Sequence, residues 1–189
     1  MFKIKKKTKL KQTGYFGANT FSGLKPTVYM SVHVLERYQQ LPVSLQEAWE
    51  FFSAPGNLQT ITPPYMGFEV LSDSGSKKMY PGQIISYYVK PVLNLQLLWL
   101  TEITHVKEPE YFVDEQRFGP YKFWHHTHFF REIPGGIKMR DLVHYKLPFG
   151  PLGNLVHALF IKKRLAEIFE YRRKVLEEKF GKFPDNISG

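Results

Sequence analysis

The stretch that decides the fold is Phe-Trp-His-His-Thr-His-Phe-Phe-Arg-Glu-Ile-Pro-Gly-Gly-Ile-Lys-Met-Arg-Asp-Leu-Val-His-Tyr, residues 123–145. Two runs rich in aromatic and β-branched residues flank Ile133-Pro134-Gly135-Gly136, which reads as a β-hairpin with a Pro-Gly turn. Side chains alternate across a strand, so Trp124, His126, His128 and Phe130 share one face. If Ile133 pairs with Gly136, their cross-strand partners are Tyr145, Val143, Asp141 and Met139. That face is mostly apolar and is expected to look inward. The opposite face carries His125, Arg131, Lys138, Arg140, His144 and Lys146 and is expected to meet solvent. Two imidazoles and a carboxylate therefore sit on an inward face, where such groups seldom go without a partner or a purpose. The hairpin points to a pocket.

Working outward, residues 28–38 read as a first strand, broken at Leu41-Pro42. Ser44 followed by Glu47 is a capping-box pattern for a short helix from Leu45 to about Ser53. A second short helix is expected over Asn57 to Ile61. Strands then follow at about 67–72, 83–91, 94–106, 111–118, 123–132 and 137–146, separated by Gly, Pro and Asp punctuation. After Pro148 the period changes. Leu155, Leu159, Leu165, Ile168, Phe169, Val175, Leu176 and Phe180 recur at three- and four-residue spacing, predicting one amphipathic helix of about 25 residues that ends near Gly181. Its polar side, including Lys162, Lys163, Arg173 and Glu177, reads as solvated. A seven-stranded antiparallel sheet must bury a face, so the terminal helix is expected to lie across it. With a curved sheet the gap beneath the helix becomes a cavity, and the short helices plug one end.

Composition narrows the function. The 189 residues fit one domain, large enough to bury roughly 70% of its unfolded-chain surface. Cysteine is absent, which excludes disulfides and thiolate chemistry. Of the net charge of +9, seven lysines between residues 3 and 25 account for +7, leaving +2 for the rest. The reading is a basic, flexible tail over 1–26, with weak attraction to anionic membranes as its alternative role, followed by a single domain over 27–183. A near-neutral body argues against a dedicated nucleic-acid surface. No run reaches the roughly 18 apolar residues of a membrane span and no secretory h-region is seen, so the expected location is cytoplasmic. Gly-x-Ser-x-Gly and the phosphate-binding glycine loops do not occur.

Element order and motifs together resemble the SRPBCC or START-like superfamily, the helix-grip fold of birch-pollen allergens, lipid-transfer START domains and polyketide cyclases. The residues that carry the resemblance are Tyr80-Pro81-Gly82, Asp114-Glu115-Gln116, Gly119-Pro120, Trp124-x-His126-x-His128-x-Phe130, Gly135-Gly136, Asp141-x-Val143-x-Tyr145, Pro148-x-Gly150 and Tyr171-Arg172. They span about 28–180. More narrowly the chain is similar to a bacterial subgroup of ligand-binding SRPBCC proteins, some labelled cell-division inhibitor. The resemblance implies an α+β fold with a hydrophobic pocket and implies no particular reaction.

Against that background His126, His128 and Asp141 have three readings. They can be a buried, satisfied polar group that sets strand register, a polar cluster that orients a ligand, or a proton-transfer or metal site. Tyr87, Tyr88, Trp99, Trp124 and Tyr145 are candidates for a cavity wall. The parity of Asp114 and Gln116 against Glu115 and Arg117 stays open, because a bulge at Gly119 exchanges the two pairs. Arg164 and Arg172 can reach a ligand anion but read as solvated or snorkelling arginines. The expectation is a ligand-binding site of Tyr88, Trp99, Trp124, His126, His128, Asp141 and Tyr145, with no catalytic residue, metal or cofactor assigned. Its partner is a small hydrophobic molecule: a lipid, isoprenoid or polyketide-like compound. A cyclase- or dehydratase-type enzyme and a regulatory module linked to cell division or the envelope are the alternatives.

Overall fold

The computed structural model describes residues 32–72, 75, 77–90 and 95–184. Strand β1 (His33–Leu41) leads into helix α1 (Leu45–Phe52), two single 3-10 turns at Pro55–Asn57 and Pro64–Met66, and then β2 (Glu69–Ser72), β3 (Gln83–Val89), β4 (Leu97–Lys107), β5 (Tyr111–Phe118), β6 (Phe123–Ile133) and β7 (Gly136–Lys146). After β7 come α2 (Gly150–Val156), a π-helical turn (His157–Ile161) and α3 (Lys162–Phe180). All seven strands pair antiparallel in the order β1-β7-β6-β5-β4-β3-β2. The first strand thus returns to pair with the last, and the sheet curls around α3 as the change of period predicts.

The β6–β7 register is the expected one: Ile133 faces Gly136, His128 faces Asp141 and Trp124 faces Tyr145. Pro134 followed by Gly135 at φ 83° supplies the fixed and the positive torsion that so tight a turn needs. Gly136 has a different reason to be glycine, since a Cβ there would come within 2.1 Å of the Leu41 carbonyl oxygen. The tight turn locks the alternation, and Trp124, His126, His128, Phe130, Met139, Asp141, Val143 and Tyr145 are all buried. His125, Arg140 and His144 are only partly covered.

At one end of the sheet Ser44 caps α1, its hydroxyl accepting from the Glu47 backbone N–H at 3.1 Å. Trp49 sits edge-on to Phe112 and Phe130, and Phe51 edge-on to Phe180 of α3. One local expectation is corrected. The second short helix at 57–61 is replaced by the 3-10 turns at 55–57 and 64–66, because Pro55, Pro63 and Pro64 favour single turns over a continued helix. The terminal helix runs from Gly150 to Phe180 as expected and carries a π-turn at His157–Ile161. The expected start of the first strand at 28–31 and the basic tail at 1–26 lie outside the described residues.

Candidate functional site

Four elements deliver a buried polar group to one place. β6 supplies His126 and His128 at i, i+2; β7 supplies Asp141 opposite His128; β5 supplies Asp114 opposite His126; α3 supplies Arg172. His126 Nε2 is 3.1 Å from Asp141 Oδ1 and His128 Nε2 is 2.9 Å from Asp114 Oδ2. The remaining nitrogens are close to the other carboxylate, His126 Nδ1 at 3.3 Å from Asp114 Oδ2 and His128 Nδ1 at 2.8 Å from Asp141 Oδ1. Each imidazole therefore bridges both aspartates, and the two rings lie 3.7 Å apart between centroids. Arg172 completes the group, its NH1 3.3 Å from Asp141 Oδ1 and its NH2 3.5 Å from His128 Nδ1. The Trp124 indole N–H donates to Asp114 Oδ1 at 3.2 Å. Asp114, His126 and His128 also offer ligand atoms that all lie within 4.8 Å of one another.

Burial pushes the Asp114 and Asp141 carboxyls up and the His126 imidazole down, yet the partners reverse both effects. Against burial, the charge of His126 and hydrogen bonds with His126 and His128 hold Asp114 well below the usual carboxylate range. Asp141 is likewise held low, against burial, by the Arg172 guanidinium and the two imidazoles. His126 is raised above the ordinary imidazole value because Asp114 and Asp141 outweigh its desolvation. The nearby phenols Tyr87 and Tyr121 are driven upward by burial and stay protonated at neutral pH.

A cavity of about 180 Å³ opens between the sheet and α3 at this cluster. Its apolar wall includes Ile85, Val89, Trp99, Trp124, Leu165 and Phe169; Asp114, His126, His128, Arg164 and Arg172 supply its polar groups. Two buried donors on the wall, the Trp99 indole N–H and the Arg172 Nε–H, find no hydrogen-bond partner among the described residues.

Of the expected site residues, Trp99, Trp124, His126 and His128 line the cavity. Asp141 stands behind the imidazoles and is not part of the wall. Tyr145 is buried beside Trp124 but outside the wall, its hydroxyl 2.8 Å from His157 Nε2. Tyr88 faces the other way. Gln83, Ile85, Tyr87 and Val89 of β3 point inward, so alternation turns Tyr88 out and puts Tyr87 in the cavity, its hydroxyl on Thr101 at 2.9 Å. The open parity on β5 resolves in favour of Asp114. The ladder to β6 is regular through Glu115–His125, and Gln116 then folds back to bond both the Tyr121 N–H and carbonyl, closing a wider loop. Arg172 corrects the reading of that residue as solvated. It takes a place in the stripe Leu165, Phe169, Arg172 and Leu176, all buried, and this spacing is a signal that the sequence carries.

No family model matches this sequence, and no curated protein matches it. Solved structures do. A START superfamily protein from Mycobacterium smegmatis has a TM-score of 0.58 at 12% identity, covering 78% of this chain and 97% of its own. The protein TTHA0849 from Thermus thermophilus reaches 0.57 at 20% identity over 79% and 97%. Ara h 8.0201 reaches 0.55 at 17% identity over 78% and 99%. The protein therefore has the helix-grip fold of START-like and birch-pollen-allergen-like proteins. Among the described residues no helix is long and apolar enough to cross a membrane.

Proposed function

We propose that this protein binds a small, largely apolar molecule in the cavity between its sheet and α3, with an oxygen of that molecule turned toward the polar wall. The observation that carries this reading is the pairing of an aromatic and aliphatic enclosure with two buried, unpartnered donors, Trp99 Nε1–H and Arg172 Nε–H. A buried donor without an acceptor costs about 1–3 kcal/mol, and a carbonyl, hydroxyl or carboxylate oxygen on a ligand recovers it. At about 180 Å³ the space lies below the roughly 300–1,000 Å³ of drug-sized pockets, which favours a compact occupant. START-like neighbours share the fold, and the ligand class is inferred from the wall.

Native mass spectrometry of the protein purified from its own host tests this directly, a retained small molecule being expected. Trp99 and Trp124 line the wall while Trp49 lies behind Phe112 and is not part of it, so occupancy is expected to change tryptophan emission and Trp99→Phe to remove part of that change. A protein that carries nothing and responds to no apolar small molecule defeats the reading.

One observation favours an enzyme of cyclase or dehydratase type: His126 and His128 reach the cavity with carboxylates held against them. A binding group serves ground and transition states alike, whereas a catalytic one favours the transition state. For a carrier, His128→Asn and Asp141→Asn weaken binding by about 1–3 kcal/mol without any turnover to lose. For an enzyme, the same changes lower a chemical rate by about 10²-fold or more while binding survives. We favour the carrier.

A further inference from the structure

We propose that Asp114, His126 and His128 form a binding site for a divalent transition-metal ion that opens onto the cavity. The first support is spacing. Asp114 Oδ2 lies 3.3 Å from His126 Nδ1 and 2.9 Å from His128 Nε2. An ion bound at about 2.0–2.1 Å by nitrogen and oxygen ligands separates adjacent ligand atoms by roughly 2.9–3.4 Å, between octahedral and tetrahedral geometry. Both contacts fall in that interval; one ligand atom from each of the three residues lies within 4.8 Å of the others, a little wider than the roughly 4.2 Å across one such ion, so binding draws the two imidazoles slightly together.

The second support is the orientation of the imidazoles. Asp141 Oδ1 is hydrogen-bonded to His126 Nε2 at 3.1 Å and lies 2.8 Å from His128 Nδ1, which the Arg172 guanidinium also approaches at 3.5 Å. A neutral imidazole has one N–H to give. When both rings give it to Asp141, the lone pairs of His126 Nδ1 and His128 Nε2 face the Asp114 carboxylate. Three electron-rich atoms then converge at contact distance and need a cation among them. A proton joins only one of the two nitrogens to Asp114; a metal ion joins both. A carboxylate behind each ligating histidine is the usual way a protein fixes the tautomer of a metal-bound imidazole. Here one carboxylate does this for both rings, and Arg172, 3.3 Å away, balances its charge.

The third support is access. The three ligating residues line the cavity while Asp141 does not, so the open coordination positions face the space a ligand would fill. Two imidazoles and one carboxylate, in a chain without thiolates, suit Fe(II), Mn(II), Co(II) or Zn(II).

The test uses the full chain stripped with a chelator and titrated with Co(II) and Zn(II), following heat and the visible Co(II) spectrum. One ion per chain is expected. Asp114→Asn and His128→Gln should abolish uptake, and Asp141→Asn should weaken it by about 10–100-fold. His125→Gln and His144→Gln, on the opposite face of the same strands, should leave it unchanged. Should a cluster variant not fold, the unmodified protein still decides the matter. The Trp124 indole N–H, bonded to Asp114 Oδ1, should lose its NMR signal on addition of sub-stoichiometric Mn(II). The proposal is overturned if the unmodified protein takes up no stoichiometric ion, if the Trp124 signal is untouched by Mn(II), or if uptake disappears with His125→Gln and persists in a folded Asp114→Asn protein. None of these readouts depends on an organic ligand, so this proposal and the carrier reading fail separately.

Discussion

The two ends of the helix-grip differ in how they use apolar residues. At the α1 end Trp49, Phe52, Phe130, Ile137 and Leu176 are almost fully buried and the aromatic rings interlock edge to face. At the α2 end Leu152, Leu155, Leu159 and Phe160 are each more than half exposed and Phe149 is 79% exposed, although the sequence there is as apolar. The difference is geometric. α3 offers a single stripe, Leu165, Phe169, Arg172 and Leu176, in register with the sheet. The π-turn at His157–Ile161 inserts one residue and rotates everything before it by about 100° relative to that stripe. One end is a packed core that holds the sheet closed. The other is a loosely covered mouth, with Ile161, Arg164 and Leu165 at the cavity.

Stability should therefore be concentrated at the first end. Trp49→Ala is expected to cost about 3–5 kcal/mol in denaturant unfolding, the range for truncating a buried aromatic. Leu155→Ala, at an exposed position of similar hydrophobicity, should stay within about 0.5 kcal/mol. Comparable losses at the two positions would erase the contrast between core and mouth.

Arg172 lies between the ends and should behave like the core. Arg172→Met strips the buried Asp141 carboxylate of its cation and is expected to cost about 3–5 kcal/mol. Adding Asp141→Asn to it should cost less than the sum of the two single changes, because the charge that the arginine balanced is then gone. Strict additivity in that double-mutant cycle would mean that the two side chains do not act together.

Much of this arrangement is legible in the sequence, and the reasons for the rest are physical. The hairpin 123–145 is readable because the two-residue turn fixes the register and alternation then fixes every facing. β3 is readable in the same way, since alternation from Ile85 turns Tyr87 in and Tyr88 out; aromatic type alone does not separate the two. Asp114 is not decidable from sequence, since the loop Gly119-Pro120-Tyr121 sets the parity of β5 and is closed by hydrogen bonds from the Gln116 side chain to the Tyr121 backbone, which no residue pattern announces. Arg172 is hidden because an arginine in a helix is ordinarily solvated, and its partners come from strands far away along the chain.

Acid should expose the same cluster. Asp141 is held well below its ordinary value of 3.8, chiefly by Arg172 once burial is overcome. A folded-state value below the unfolded one contributes stability that is complete above about pH 3.8 and declines as pH falls toward the folded value. In metal-free protein, stability followed from about pH 6 to about pH 2 should drop in that lower window, and Asp141→Asn should flatten the drop. An acid limb identical in both proteins would remove Asp141 from the account.

The smallest effect on the fold is expected where the surface is least typical. Leu152, Leu155 and Leu159 stand more than half in water, so replacing all three by glutamine removes little buried area. Glutamine is also nearly as good a helix former as leucine, so α2 should persist. Unfolding free energy should therefore change by less than about 1 kcal/mol in total. What should change is adhesion: an exposed apolar strip binds hydrophobic dyes and resins, and the triple variant should lose most of that signal. A large fall in stability would mean that these leucines are covered in solution, either by the residues preceding β1 or by a second copy of the chain. Limited proteolysis and the oligomeric state of the unmodified protein would then tell those two covers apart.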